Sequence, residues 1–486
     1  MSATQTRREF LGSTLAAAGV ALAPTCLRGA AGKPSDIRVE DVQFKYQDYL
    51  YRTPLKFGGT ATDRITILDV LCRVRTRDGK VAHGVGSMPL GNVWSFPSKT
   101  LSYAQTLNAM KALTSKVRDL LAAYQERQHP VDITWALEPE YLKAADAVSA
   151  AQDLAEPIPK LCTLVVVSPF DAALHDALGK AYGQSVYGMY GPEHMTHDVG
   201  HYLGERFAGR YLQEYVRPTP QRRMPLYHLV GALDPIEEGD ITDRIDDGLP
   251  ETLPEWIRAN GLTHFKIKLN GSDLDWDVER VLRVDGVTTA VQRERGVTKC
   301  VYSLDFNEQC PNVDYLLAFM RRVQEKAPEA FTRVQYIEQP TARDLAAHRE
   351  NVMHEAAKIK PVVIDESLTD YDSLRLAREM GYSGAALKAC KGQSQALLLG
   401  AAIQDHDMFL CVQDLTCPGA SLVLSAGLSA HVPTVAAIEA NARQYVPVAN
   451  KGWEDRYPGL FEVTDGAVNT STLNGPGLSL PPRTTL

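Results

Sequence analysis

The stretch THFKIKLNG, Thr263–Gly271, decides how this 486-residue chain is read. Lys266 and Lys268 flank one isoleucine in a short β-type run. The two-residue period of a strand puts both ammonium groups on the same face. An unpaired charge inside a protein is costly, so this face needs counter-charge opposite it. The runs that follow supply it. CVYSLDF carries Asp305, with Asn307 just beyond, and RVQYIEQP carries Glu338. PVVIDES carries Asp365 and Glu366, GAALKAC carries Lys388 with Lys391 beyond it, and MFLCVQD ends at Asp414.

With MPLYHLV these make seven short β-type runs, and helical periodicity lies between most of them, as in Asp275–Arg295, Asn312–Glu325, Arg343–Ile359 and Tyr371–Gly381. Strand–helix units at this spacing predict a parallel sheet. No G-x-G-x-x-G follows any strand, so a dinucleotide fold lacks its main support and a closed (β/α) barrel is favoured. The eighth strand is expected near ARQYVPVAN, Ala442–Asn450. Upstream, a β-meander with a turn at Asp78-Gly79 and then two helical stretches predict an α+β domain. The Gly-rich polar segment Tyr49–Arg64 reads as a loop between two strands, able to close over a site.

The fold class is thus α/β: a modified TIM barrel, (β/α)7-8, with an N-terminal α+β capping domain and a C-terminal tail that returns to the cap. The expected boundaries are 1–32 for a signal segment, 33–221 for the cap with an insertion near 190–217, 222–457 for the barrel and 458–486 for the tail. Arg7 and Arg8 precede an Ala/Gly-rich apolar run, which resembles a twin-arginine export signal and predicts a periplasmic protein handled by export machinery. A lipid-attachment site at Cys26 is disfavoured by Thr25 before it. The other cysteines stand singly, without C-x-x-C, and read as buried thiols. A net charge of -8 and no basic block beyond the N-terminus argue against nucleic acid as a partner.

In a barrel, polar residues at strand ends meet at the catalytic face. Asp305, Glu338 and Asp365 should converge there, and they would raise one another's pKa unless a cation sits among them. All-oxygen ligands suit Mg²⁺, with Mn²⁺ as the alternative. A lysine can act as base once neighbouring ammonium groups and the metal pull its pKa toward neutrality.

This ordered set closely resembles the mandelate racemase/muconate lactonizing enzyme family of the enolase superfamily, and its muconate-lactonizing subgroup in particular. The likeness runs from about Ile37 to the tail. It rests on K-x-K, the strand-three Asp, IEQP, DES and K-x-x-K, and on the cap-closing segment SPFDAALHDALGKAYG. The resemblance implies catalytic roles for Lys268 and Lys388, with Lys266 as electrostatic helper. It implies metal ligation by Asp305, Glu338 and Asp365, and supporting places for Asn307, for Glu366 as a partner of the strand-six lysine, for Lys391 at the next turn, and for Asp414. It places the specificity lid at Tyr49–Arg64, with Arg52, Lys56 and Phe57 as candidate contacts to a small-molecule carboxylate substrate. Homo-oligomerisation is also implied.

Such a site removes a proton α to a carboxylate through an enediolate, which serves racemisation or epimerisation, β-elimination or cycloisomerisation. A racemase or epimerase is the leading reading; an acid-sugar dehydratase or other lyase is the alternative, and a cycloisomerase comes behind both. A non-catalytic binding protein would require a lost catalytic position, and none is lost. Three features depart from the family: Cys310 replaces an aromatic, Gly392-Gln393 replaces Gly-Gly, and no D-x-D step appears near YVPVANKGWED. His194, His197 and His201 lie in the unusual stretch Gly191–Tyr215 and read as part of a surface insertion, because no Cys or carboxylate pattern in the sequence completes a metal site. His406 and His431 read as ordinary solvated or packed histidines.

Overall fold

The barrel strands follow one another around a ring in chain order. They are β4 (Arg223–Val230), β5 (His264–Lys268), β6 (Val301–Asp305), β7 (Val334–Glu338), β8 (Val362–Ile364), β9 (Gly384–Lys388), β10 (Phe409–Gln413) and β11 (Ile438–Glu439), preceded in the cap by β1 (Ile37–Phe57), β2 (Thr60–Thr76) and β3 (Val81–Pro89). Parallel pairing of Ile438 with Leu226 and of Glu439 with Tyr227 closes the ring. The structure is a computed structural model that describes residues 32–433 and 437–486. The export-signal residues and Cys26 therefore lie outside the described residues, apart from residue 32.

The expected seven strands form where the apolar runs lie. The eighth does not: Ala442–Tyr445 is helical, and the closing strand is the two-residue β11. So short a strand carries no periodic signal of its own and forms because its neighbours leave one gap in the ring. The helix expected over Arg343–Ile359 forms only at His354–Ile359. Three of the barrel helices start on side-chain caps: Asp273 accepts from the Trp276 N–H, Asn312 from Tyr315, and Asp370 from Ser373.

The cap begins with the antiparallel sheet β1–β2–β3. The predicted loop Tyr49–Arg64 is instead the far end of the β1–β2 hairpin, paired out to Phe57 and Thr60. Gly58 and Gly59 make the turn with φ of 47° and 90°, a left-handed pair whose twist matches that of the strands. A register shift between Leu50 and Leu55 bends the ribbon. Behind the sheet stand the helices Tyr103–Ala123, Pro130–Ala151 and Lys160–Tyr182. The first starts at a reciprocal cap between Ser102 and Gln105.

The Lys160–Tyr182 helix has the length and hydropathy of a membrane span, yet that window is wholly buried inside the fold. It lies directly on β3. A Cβ on Gly86 would stand 1.8 Å from the Pro169 carbonyl oxygen, and one on Gly84 2.0 Å from that of Ala173. The tail then returns. Its strand β12 (Ala467–Asn469) pairs antiparallel with the start of β4. Beyond it, the Leu478 N–H donates to buried Asp176 at 2.9 Å, and Lys180 donates to the Pro481 carbonyl. All seven described cysteines are buried and free.

Candidate active site

Strand register brings the charges to one level: Lys268 is paired with Asp305, and Asp305 with Glu338. Alternate residues Phe265 and Ile267 pack into the surrounding core. Beneath the charged layer, Tyr227, Tyr336, Val363, Ala386, Cys411 and Ala437 cluster as an apolar floor. The inward lysines thus stand on a dry base and point toward the cap.

Lys266 is the centre of the layer. Its ammonium lies 2.8 Å from Glu338 Oε1, 3.0 Å from Asp305 Oδ2 and 3.1 Å from Glu439 Oε2. Lys268 donates to Asp305 Oδ2 at 2.5 Å and to Asn307 Oδ1 at 2.8 Å. On the other side Lys388 lies 2.7 Å from Asp365 Oδ2, and Lys391 bonds the Asp365 carbonyl and sits 3.2 Å from Oδ1. Lys388 therefore pairs with Asp365, not with Glu366. Glu366 instead accepts from Trp94 Nε1 at 2.9 Å and from Asn307 Nδ2 at 3.2 Å. Lys391, expected to support the following turn, also holds a carboxylate of the predicted metal set. Asp414 accepts from the Cys417 N–H at 3.1 Å.

Three members of this site were given no role from the sequence. Glu439 sits in the strand too short to detect. Gln413 donates to Glu338 Oε2 and, at 3.2 Å, to the Tyr336 hydroxyl. Trp94 comes from the cap, and its ring lies 4.5 Å from the Lys388 ammonium. Nothing in its local sequence signals that position, because the contact joins residues far apart in the chain.

The electrostatics differ from expectation in one respect. Burial disfavours the charge on Lys266, but Asp305, Glu338 and Glu439 outweigh it and hold the lysine well above its ordinary value. Burial is likewise outweighed at Lys388, chiefly by Asp365, so this lysine also rises. The expected downward pull is absent while the carboxylates are paired to the lysines. Burial raises Asp305 and Asp365 too, but the lysines beside each prevail and both fall below the usual carboxylate range. Burial and then Asp305 push Glu338 up to about 8. Burial and Asp365 push Glu366 up to about 7, and burial and Glu439 push Asp414 up to about 8.

Carboxylates crowded in this way repel one another unless positive charge stands among them. Asp305, Glu338, Asp365, Glu366, Asp414 and Glu439 face Lys266, Lys268, Lys388 and Lys391, an excess of two formal negative charges. Glu366 Oε2 and Asp414 Oδ1 are buried without a hydrogen-bond partner. This oxygen-only set fits a hard divalent cation. The expected tight convergence of Asp305, Glu338 and Asp365 is not reached, because ammonium groups stand between them. Among the described residues, one His/Cys/Asp/Glu set brings its donor atoms within 4.8 Å of one another, and it lies elsewhere, at Asp132, His197 and His201.

Of the candidate substrate contacts, Phe57 lies with its ring 5.8 Å from the Lys268 ammonium. Lys56, Gly58 and Gly59 share a cavity of about 220 Å³ with Lys268 and Asn307, and this cavity joins the lysine to the hairpin tip. Arg52 is engaged elsewhere, paired with Asp247 at 2.5 Å and bonded to the Pro250 and Leu249 carbonyls. His431 is packed, stacked on Tyr187 with ring centroids 3.8 Å apart, and His406 meets Tyr371 at 3.1 Å.

Residues 249–485 match the family described as enolase C-terminal domain-like. The match covers the barrel beyond β4 and the tail, and the fold of the described residues is shared with solved structures of mandelate racemase/muconate lactonizing proteins. Among solved structures it is similar to the muconate lactonizing enzyme of Pseudomonas fluorescens complexed with muconolactone, at 16% identity and TM-score 0.56, covering 92% of this chain and 97% of that one. The N-succinyl Arg/Lys racemase of Bacillus cereus is similar at 15% identity and TM-score 0.55, covering 92% and 96%. The dipeptide epimerase of Enterococcus faecalis, complexed with Mg and L-Leu-L-Tyr, is similar at 14% identity and TM-score 0.57, covering 91% and 99%. No curated protein matches the sequence.

Proposed function

We propose that the protein is a divalent-metal-dependent racemase or epimerase that moves the proton α to a carboxylate. The observation that carries this reading is the placement of two lysines across the barrel. Lys268 ends β5 and Lys388 ends β9, four steps apart in a ring of eight strands. A substrate α-carbon held between them exposes one face to each ammonium. One lysine, as the free amine, takes the proton; the other, protonated, returns it to the opposite face.

Asp305, Glu338 and Asp365 would hold the cation, Mg²⁺ by the chemistry of the donors. When bound, it supplies positive charge to the substrate carboxylate as that group gains charge in the enediolate. The chain's own residues do the rest. Lys266, between Asp305 and Glu338, adds a second positive centre. Trp94 and Asn307 fix Glu366, while the Trp94 ring packs against Lys388. The hairpin tip at Gly58-Gly59, with Lys56 and Phe57, bounds the cavity beside Lys268 and is suited to select the substrate's remote end and exclude water.

The test is solvent-deuterium exchange at the α-position across a panel of N-acyl amino acids, dipeptides and other α-substituted carboxylates. It is run with Mg²⁺ on the wild type, Lys268→Ala and Lys388→Ala. Each variant should lose racemisation by about 10²–10⁴-fold while keeping exchange from one stereoisomer only. Two-face exchange surviving without Lys388 rejects the two-base reading and favours elimination by a single base.

A further inference from the structure

We propose that Asp132, His197 and His201 form a second metal site, in the cap, for a borderline transition cation of the Zn²⁺ class. The three residues offer one donor atom each, all within 4.8 Å of one another. Two separate parts of the chain supply them. Asp132 lies in the first turn of the Pro130–Ala151 helix; His197 and His201 belong to the 191–215 stretch that departs from the family. The surface-insertion reading assumed that no carboxylate completes the pair. One does, from a residue 65 positions earlier in the chain.

The local structure prepares the ligands. Asp198 caps the short Val199–Leu203 helix by accepting from the His201 N–H. His197 and His201 are four residues apart, and their rings stack at 3.9 Å with planes 14° apart. Two imidazolium ions at that spacing repel, so the stacked geometry favours neutral rings. Neutral imidazole is the ligating form. Asp132 is buried and oriented from two sides: the Tyr202 hydroxyl donates to Oδ1 at 2.5 Å, and His197 Nδ1 lies 2.9 Å from the same atom. His201 is exposed, which leaves a path for the ion and for a water in the remaining position.

Two imidazole nitrogens and a carboxylate oxygen select against Mg²⁺ and for Zn²⁺ or its neighbours in the first row. The barrel set has only oxygen donors and selects the opposite way. A cation here would clip the inserted segment to the cap, well apart in chemistry from the barrel.

The experiment uses the full-length protein in excess Mg²⁺, which occupies the barrel carboxylates, and titrates Zn²⁺ by calorimetry with metal content checked after desalting. One equivalent of Zn²⁺ should bind and raise the melting temperature. His201→Gln, an exposed change with little risk to folding, should weaken Zn²⁺ by more than the roughly 10–100-fold expected for losing an outer partner and leave Mg²⁺-dependent turnover unchanged. His197→Gln should do the same. Co²⁺ bound in place of Zn²⁺ should give a visible absorption spectrum that vanishes in either variant. The proposal is overturned if the wild type binds no Zn²⁺ under excess Mg²⁺, or if both variants keep wild-type affinity.

Discussion

Replacing Lys266 with methionine tests whether this ammonium stands in for cationic charge at the heart of the barrel. Lys266 is 2% exposed and makes three ion pairs at 2.8 to 3.1 Å. At an effective dielectric of about 20, the Coulomb attraction of each such pair is about 5.5 kcal/mol. Three do not simply add, because burying the ammonium itself costs several kcal/mol and the carboxylates protonate when it leaves. Removing one partner from a buried network costs about 3–5 kcal/mol, and that is the loss expected in EDTA, read by urea unfolding. With Mg²⁺ the outcome should differ. The cation no longer competes with Lys266 for Asp305 and Glu338, so its affinity should rise at least tenfold, or about 1.4 kcal/mol of extra stabilisation. The variant should therefore recover more stability from Mg²⁺ than the wild type does. An equal Mg²⁺ increment in both proteins would refute the reasoning and make Lys266 a purely structural ion-pair partner.

Shortening the hairpin by deleting Gly58-Gly59 should change both KM and kcat while calorimetry finds Mg²⁺ binding intact; unchanged kinetics would remove the hairpin tip from substrate selection. Gly86→Ala forces a methyl group to within 1.8 Å of the Pro169 carbonyl, and unfolding curves should register a loss of at least about 1–3 kcal/mol. For pH, the sign follows from Glu338 and Asp414 near 8 and Glu366 near 7, all raised above their unfolded values. Their contribution is fully present below about pH 4 and is lost progressively as pH rises from there to about 7 to 8. Metal-free protein should lose stability between about pH 4.5 and 8 in urea melts, with a shallower slope in Mg²⁺; stability that rises over this window would contradict the site's charge balance.

Much of the barrel is legible because each strand from β4 to β10 has its own apolar run, and the five-part order of Lys266/Lys268, Asp305, Glu338, Asp365 and Lys388 survives as a linear pattern. What escaped depends on contacts between distant residues. Glu439 reaches the site on a strand of two residues, too short for any period. Trp94 arrives from the cap, just after β3 ends at Pro89. Tyr49–Arg64 looks like a loop from its glycines and polar residues, yet two left-handed glycines in succession are what a tight hairpin requires. Asp132 and His197 cannot be connected by spacing at all, since the intervening helices decide their distance.

The stitch between the C-terminal tail and the cap sets an order in time. Leu478 reaches Asp176 across 302 residues, and at synthesis rates of about 5–20 residues per second the cap helix waits about 15–60 s for its last partner to be made. Until then a carboxylate destined for burial has one of its backbone donors missing. A nascent chain that has not yet reached Leu478 would hold every strand of the barrel ring and an unfinished cap. Closure of the cap around Asp176 thus follows the synthesis of every barrel strand.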